Sequence, residues 1–191
     1  MWRSHDTTLG PETRRSRERL QRERLDLLFA MTPVILAANL VNGTLIAAVF
    51  FGSYAPRLIA LWWGLLVIMV ALRGCAWLWY RRYGGSNHWL SWIAIAGSGT
   101  SGALWGAAGV LFYPQSNETQ LIVLGFVLGG MGAGAATSLN TYLPAFYVYF
   151  LPWLAPFCAL LALDGDPDHP VMAAACSMYA VSMLILVQKA N

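Results

Sequence analysis

Residues 95–156 read IAGSGTSGALWGAAGVLFYP, QSNETQ, LIVLGFVLGGMGAGAATSLN, TY and LPAFYVYFLPWLAP in turn. Two apolar segments, separated by a polar break, carry small residues four apart. Ser98, Gly102 and Gly106 lie on the first, and Gly125 with Gly129 and Gly130 with Gly134 on the second. On a helix that spacing puts them on one face. Such flat stripes let backbones approach closely in lipid, where no hydrophobic drive brings helices together. A third segment, rich in aromatics and interrupted by Pro152 and Pro156, follows. The stretch predicts a pair of glycine-lined membrane helices that meet through Gly102/Gly106 and Gly125/Gly129 or Gly130/Gly134, beside a proline-bent aromatic helix.

Working outward, composition agrees. Of the 191 residues 58% are hydrophobic and only 11% charged, and the mean hydropathy is +0.53, outside ordinary globular usage. Six apolar runs approach the ~20 residues needed to cross the hydrocarbon: Leu27–Phe51, Ile59–Tyr80, Trp89–Leu111, Leu121–Leu139, Tyr142–Leu163 and Pro170–Val187. The expected fold is all-α, a polytopic six-helix transmembrane bundle preceded by a cytoplasmic amphipathic helix. Its parts are a basic lead-in and juxtamembrane helix over residues 1–26, a six-span domain over 27–187, and the start of a cytoplasmic linker at 188–191. Gly10–Pro11 opens the first helix, where Glu18 and Arg22 pair at i,i+4. The lead-in is too long and polar to be a secretory signal.

Arg3, Arg14, Arg15, Arg17, Arg19, Arg22 and Arg24 crowd the N-terminus, Arg81 and Arg82 fill the second loop, and Lys189 stands at the end. The alternate loops hold Glu118, Asp164, Asp166 and Asp168, with Arg57 as their basic residue. By the positive-inside rule both termini are cytoplasmic, in a bacterial inner membrane. The pI of about 8.9 therefore reports orientation and not nucleic-acid binding. Trp77, Trp79, Tyr80, Tyr83, Trp89 and Trp92 surround the second loop as an interfacial belt.

Several polar groups fall near mid-membrane, where each is costly unless paired or facing a cavity. Pro152 and Pro156 free backbone carbonyls near residues 148 and 152, which Asn39, Asn42 or a hydroxyl of a neighbouring helix can satisfy. This structural reading, of interhelical hydrogen bonds and kinks, stands beside a functional one. In the second, Asn39, Asn42, Thr100, Ser101, Trp105, Phe146, Tyr147, Tyr149 and Trp153 line a midplane pocket for a small, mostly apolar or amphipathic ligand. Arg73 is the one charge well inside a span. It lies two turns from the Tyr80–Arg81 boundary, so snorkelling of its stem to the headgroups is preferred to ligand recognition. Cys75, Cys158 and Cys176 read as buried thiols without zinc or disulfide spacing. The run GMGAGA has no preceding strand and is not a nucleotide loop.

No Asp or Glu lies within a span, Asp26 standing at its entrance, and His5, His88 and His169 are at or beyond the interfaces. A carboxylate relay, an intramembrane haem or metal cluster and a Ser-His-Asp arrangement are therefore not expected. The chain is expected to be no enzyme, with no cofactor and no nucleic-acid partner.

RLDLLFAMTPVILAANLVNGTL, ALWGAAGVLFYP and LGFVLGGMGAGAATSLNTYLPAFYVYFLPWLAP together resemble the multi-span, membrane-associated sensor (MASE-like) regions at the N-termini of bacterial diguanylate cyclases and sensor histidine kinases. The resemblance spans the chain from about Arg19. It implies a sensory input domain in the lipid bilayer that passes a signal through its last helix to a cytoplasmic output domain beyond Asn191, as a homodimer through that output. A small transporter or permease fragment, or a membrane scaffold subunit joined through its glycine faces, is the alternative.

Overall fold

The computed structural model describes residues 30–83, 88–140 and 142–190, with backbone only over 88–91. The expected juxtamembrane helix and the 84–87 turn lie outside these. Six helices fill the described residues: α1 (Thr32–Val49), α2 (Pro56–Tyr83), α3 (His88–Phe112), α4 (Glu118–Ser138), α5 (Leu143–Leu163) and α6 (His169–Lys189). The fold is all-α. Five of them, α1, α2, α4, α5 and α6, are long and apolar enough to cross a membrane. The remaining one, α3, has 25 residues, about 37 Å at 1.5 Å per residue, enough for the same thickness. The helices match the six apolar runs to within a few residues; the head of the first run, residues 27–29, lies outside the described residues.

Local chemistry sets the helix starts. Proline stands in the first turn of α1, α2, α5 and α6, where its fixed φ suits a helix and its missing N–H leaves no bond unmade. Asn117 caps α4 reciprocally: its Oδ1 accepts from the Gln120 N–H at 2.9 Å, and Gln120 Oε1 accepts from the Asn117 N–H at 3.2 Å. The amide nitrogen of the same glutamine donates to the Val49 carbonyl at 2.9 Å and to Ser53 Oγ at 2.8 Å, joining α4 to the end of α1. Gly52, at φ +94°, turns the chain into α2.

One end of the bundle carries Glu118, Asp164, Asp166 and Asp168, and the other Arg81, Arg82 and Lys189. At the acidic end Phe50, Tyr54, Trp62, Trp105 and Phe112 pack as an aromatic cluster, with Phe50 stacked on Phe112 at 5.0 Å. Each such pair is worth about 0.5–1.5 kcal/mol beyond its burial. Their polar handles are used too. Tyr54 donates to the Phe112 carbonyl at 2.6 Å and Trp62 to that of Leu104 at 2.8 Å. Leu72, Phe126, Leu163 and Met178 are exposed on the outside, as a lipid-facing surface requires.

The dominant helix contact is α3 with α5, and α3 touches α4 only slightly. This corrects the expected seam. A Cβ placed on Gly102 would overlap the Tyr149 carbonyl, and one on Gly106 the Pro152 carbonyl. Pro156 has no N–H, so the Pro152 oxygen lacks its usual donor inside α5 and faces the bare backbone of Gly106. The contact needs glycine on one helix and proline on the other. A Cβ placed on Gly129, Gly130 or Gly134 of α4 would meet nothing within 4 Å, while one on Gly125 would lie 3.6 Å from the Phe157 ring. The cysteines also differ from expectation: Cys75 is exposed, and Cys158 and Cys176 are half-buried.

Candidate functional site

A cavity of about 230 Å³ opens between α1, α2, α4 and α5 towards the basic end. Helix periodicity builds it. Met31, Val34, Ile35, Ala38, Asn39 and Asn42 form one stripe at i, i+3, i+4 spacing on and just before α1, and Gly130, Met131, Gly134, Ala135 and Ser138 form another on α4. Ala38, Gly130 and Gly134 leave the space that larger side chains would fill. The glycines whose spacing predicts a helix seam are here the wall of a cavity.

Its depth holds buried polar groups, and its mouth is mostly apolar, with Thr137 and Ser138 beside it. Asn39 and Tyr149 are nearly fully buried, at 1% and 4% exposure, whereas Met31 and Val34 at the rim are 52% and 67% exposed. The Asn39 side chain is already committed. Its Oδ1 accepts from Trp105 Nε1 at 2.9 Å and from Ser101 Oγ at 3.3 Å, and its Nδ2 donates to the Ile35 carbonyl at 2.8 Å. Asn39 therefore bonds α1 to α3 and does not serve the carbonyls freed by the prolines. Asn42 donates to Met131 Sδ at 3.2 Å, a weak acceptor.

Tyr149 and Arg73 have capacity left. The Tyr149 hydroxyl is buried with no hydrogen-bond partner. Arg73 does not stretch to the basic end: its stem lies over Gly97 of α3, and Nη1 donates to the Gly97 carbonyl at a long 3.5 Å. It lines the cavity with Tyr149. A guanidinium has five N–H donors. Among the described residues no carboxylate pairs with this one.

Of the nine expected pocket residues, Asn39, Asn42 and Tyr149 line the cavity. Ser101 and Trp105 stand behind it, bonded to Asn39. The other four point elsewhere. Thr100 is exposed and donates to the Ala96 carbonyl at 2.5 Å. Phe146 stacks on Phe150 at 4.9 Å. Tyr147 accepts from Gln188 Nε2 at 3.2 Å, and Trp153 lies against Gly132. Sequence reasoning missed Arg73 and the α4 glycines as lining. The signal for Arg73 was its depth in an apolar run; nothing in the sequence brings Gly130 and Gly134 opposite α1.

At the acidic end a wider recess of about 640 Å³ is lined by Tyr113, Glu118, Asp164, Asp166 and His169, among others. His169 Nδ1 lies 2.6 Å from Asp164 Oδ2 and 3.1 Å from the Tyr113 hydroxyl. Burial, with Asp164 and Asp166 close by, pushes the Tyr113 hydroxyl up to about 12. Among the described residues no group of three His, Cys, Asp or Glu is placed to hold a metal. The cavity places the polar groups of Arg73 and Tyr149 against a mostly apolar lining. Compared with protein-family models, curated proteins and solved structures, the chain matches none of them.

Proposed function

We propose that the chain is the sensory input domain of a bacterial signal-transduction protein, set in the inner membrane with both termini cytoplasmic. A small ligand enters the cavity between α1, α2, α4 and α5, and α6 carries the resulting displacement to a cytoplasmic output domain of the diguanylate cyclase or histidine kinase kind. The observation that carries this reading is the intramembrane cavity itself, with Arg73 and an unpartnered Tyr149 hydroxyl on its wall.

A route to α6 supports it. The cavity helices α4 and α5 are those on which α6 packs. Tyr179 of α6 donates to the Gly129 carbonyl at 2.5 Å, next to cavity-lining Gly130, and Gln188 donates to Tyr147, two residues from Tyr149. Beyond Pro170, α6 runs to Lys189 without Gly or Pro, a stiff rod as far as the basic end. Coupling then requires an output with two arrangements that the rod biases.

The test is a graft onto a dimeric kinase or cyclase output with one to seven alanines inserted after Lys189. Activity is expected to vary with a period of about 3.6 residues. A flat series refutes transmission through α6. The orientation rests on the basic residues at one end, and is checked by reporter fusions after Ser116 and Asp166, expected outside, and after Ser86 and Asn191, expected inside.

A further inference from the structure

The geometry points to a specific ligand chemistry: we infer that the cavity takes a single-chain carboxylate head-first, its carboxylate on Arg73 and Tyr149 and its apolar body towards the mouth. This rests on the cavity being the binding site of the proposed sensor.

Three observations carry it. The first is charge. Arg73 sits inside an apolar bundle, where a lone cation is costly, and its one hydrogen bond among the described residues, to Gly97, is long. A carboxylate matches the planar guanidinium with two parallel bonds. The second is the Tyr149 hydroxyl, buried without a partner on the same wall. An oxyanion held by Arg73 supplies the acceptor it lacks, and a buried donor left unpaired is otherwise destabilising. Asn39 takes no part, its hydrogen bonds being spent on Ile35, Ser101 and Trp105. The third is the order of the lining. Asn39 and Tyr149 are deep, and the exposed rim is mostly apolar, at Met31 and Val34, with Thr137 and Ser138 as its polar members. A two-chain phospholipid, whose head stays at the interface, enters the wrong way round.

Size sets the class more narrowly. At roughly 30 Å³ per water-sized group, 230 Å³ holds about eight such groups. A medium-chain alkyl or an aryl carboxylate fits, with any longer tail passing between α1 and α4 into the bilayer.

The experiment measures binding of radiolabelled octanoate to the whole chain in phosphatidylcholine nanodiscs, with empty nanodiscs subtracted. Saturable binding is expected, with octanol binding at least tenfold more weakly. Arg73→Gln should weaken octanoate about tenfold or more, and Tyr149→Phe several-fold, with octanol unaffected by either. No saturable octanoate binding, equal affinity for octanol, or full affinity in Arg73→Gln overturns the inference. So does loss of octanoate binding in phosphatidylglycerol nanodiscs, because a lipid headgroup would then be the occupant. Should Arg73→Gln not fold, Gly134→Leu decides. It adds bulk where the backbone faces open space, and must abolish octanoate binding at an unchanged melting temperature; full binding in it overturns the inference.

The sensor reading separates from this one. Saturable, Arg73-dependent binding that leaves a grafted output silent upholds the site and refutes the sensor. An output that answers neutral compounds through the cavity, but no carboxylate, upholds the sensor and overturns the ligand class.

Discussion

Two glycine stripes, Gly102 and Gly106 on α3 and Gly129, Gly130 and Gly134 on α4, look alike in sequence and do opposite things. Gly102 and Gly106 are pressed against the α5 backbone, with no room for a single added carbon. Gly129, Gly130 and Gly134 face open space, and Gly130 and Gly134 bound a cavity. The difference lies in the partner. Helix α5 presents the backbone oxygens of Tyr149 and Pro152, the second stripped of its donor by Pro156, and a bare glycine backbone is what can approach them. Opposite the α4 stripe stand Asn39, Asn42 and Arg73 on wider-spaced helices. A small-residue stripe permits close approach; whether approach happens depends on the facing surface.

The largest expected effect tests that contrast directly. Gly102→Ala or Gly106→Ala should destabilise the chain by about 1–3 kcal/mol through overpacking, and Leu at either position should prevent folding. Gly134→Ala should stay within about 0.5 kcal/mol of wild type or gain stability from helix propensity. Unfolding in mixed micelles, followed by circular dichroism, measures both, and equal costs on α3 and α4 would break the comparison.

Asn39→Ala comes next. Trp105 Nε1 and Ser101 Oγ lose their shared acceptor inside the bundle, at a cost of about 1–3 kcal/mol. A variant with wild-type melting would show Asn39 to be free for ligand, moving it from seam to cavity.

At the acidic end Gln120→Leu removes the amide from Val49 and Ser53 and half of the α4 capping box. About 1–2 kcal/mol should go, readable as faster hydrogen exchange at the start of α4.

The smallest effect is one of pH. The neutral Tyr113 hydroxyl is favoured in the folded chain, its pKa standing at about 12 against about 10 when unfolded. Its stabilisation is complete below pH 10 and declines as pH rises towards 12. Between those values wild type should lose more melting temperature than Tyr113→Phe; parallel curves would mean that Tyr113 meets water.

The spans were legible because each apolar run carries its own information: length against bilayer thickness, and polar or proline-marked ends. Neighbours were not. Ser98, Gly102 and Gly106 state that a helix has a flat face, and nothing in their spacing says whether α4 or α5 lies against it. Pro152 and Pro156 held the missing half, since a carbonyl without a donor is what a glycine face can meet. For the cavity, Asn39, Asn42 and Tyr149 were readable as costly polar groups at depth. Which of them was spent on the fold and which was spare depends on Trp105 and Ser101 reaching Asn39 across more than sixty residues of chain. Arg73 was misjudged because a long stem reaches in two directions, and Gly97 of α3 offers it a bed.

The fourfold use of Gln120 has a mechanical consequence. Its amide and backbone clip the start of α4 to Asn117, to the Val49 carbonyl and to Ser53, so α1 and α4 are riveted at one extremity. At the other, between Met31 and Ser138, they are held apart by the cavity. Two rods pinned at one tip open like a clothes peg. With α4 about 30 Å long, a tilt of about 4° at the rivet parts the far tips by about 2 Å, whereas the same swing moves Asn117 hardly at all. Whatever wedges into the jaw therefore has its displacement magnified where the chain passes from α4 into α5.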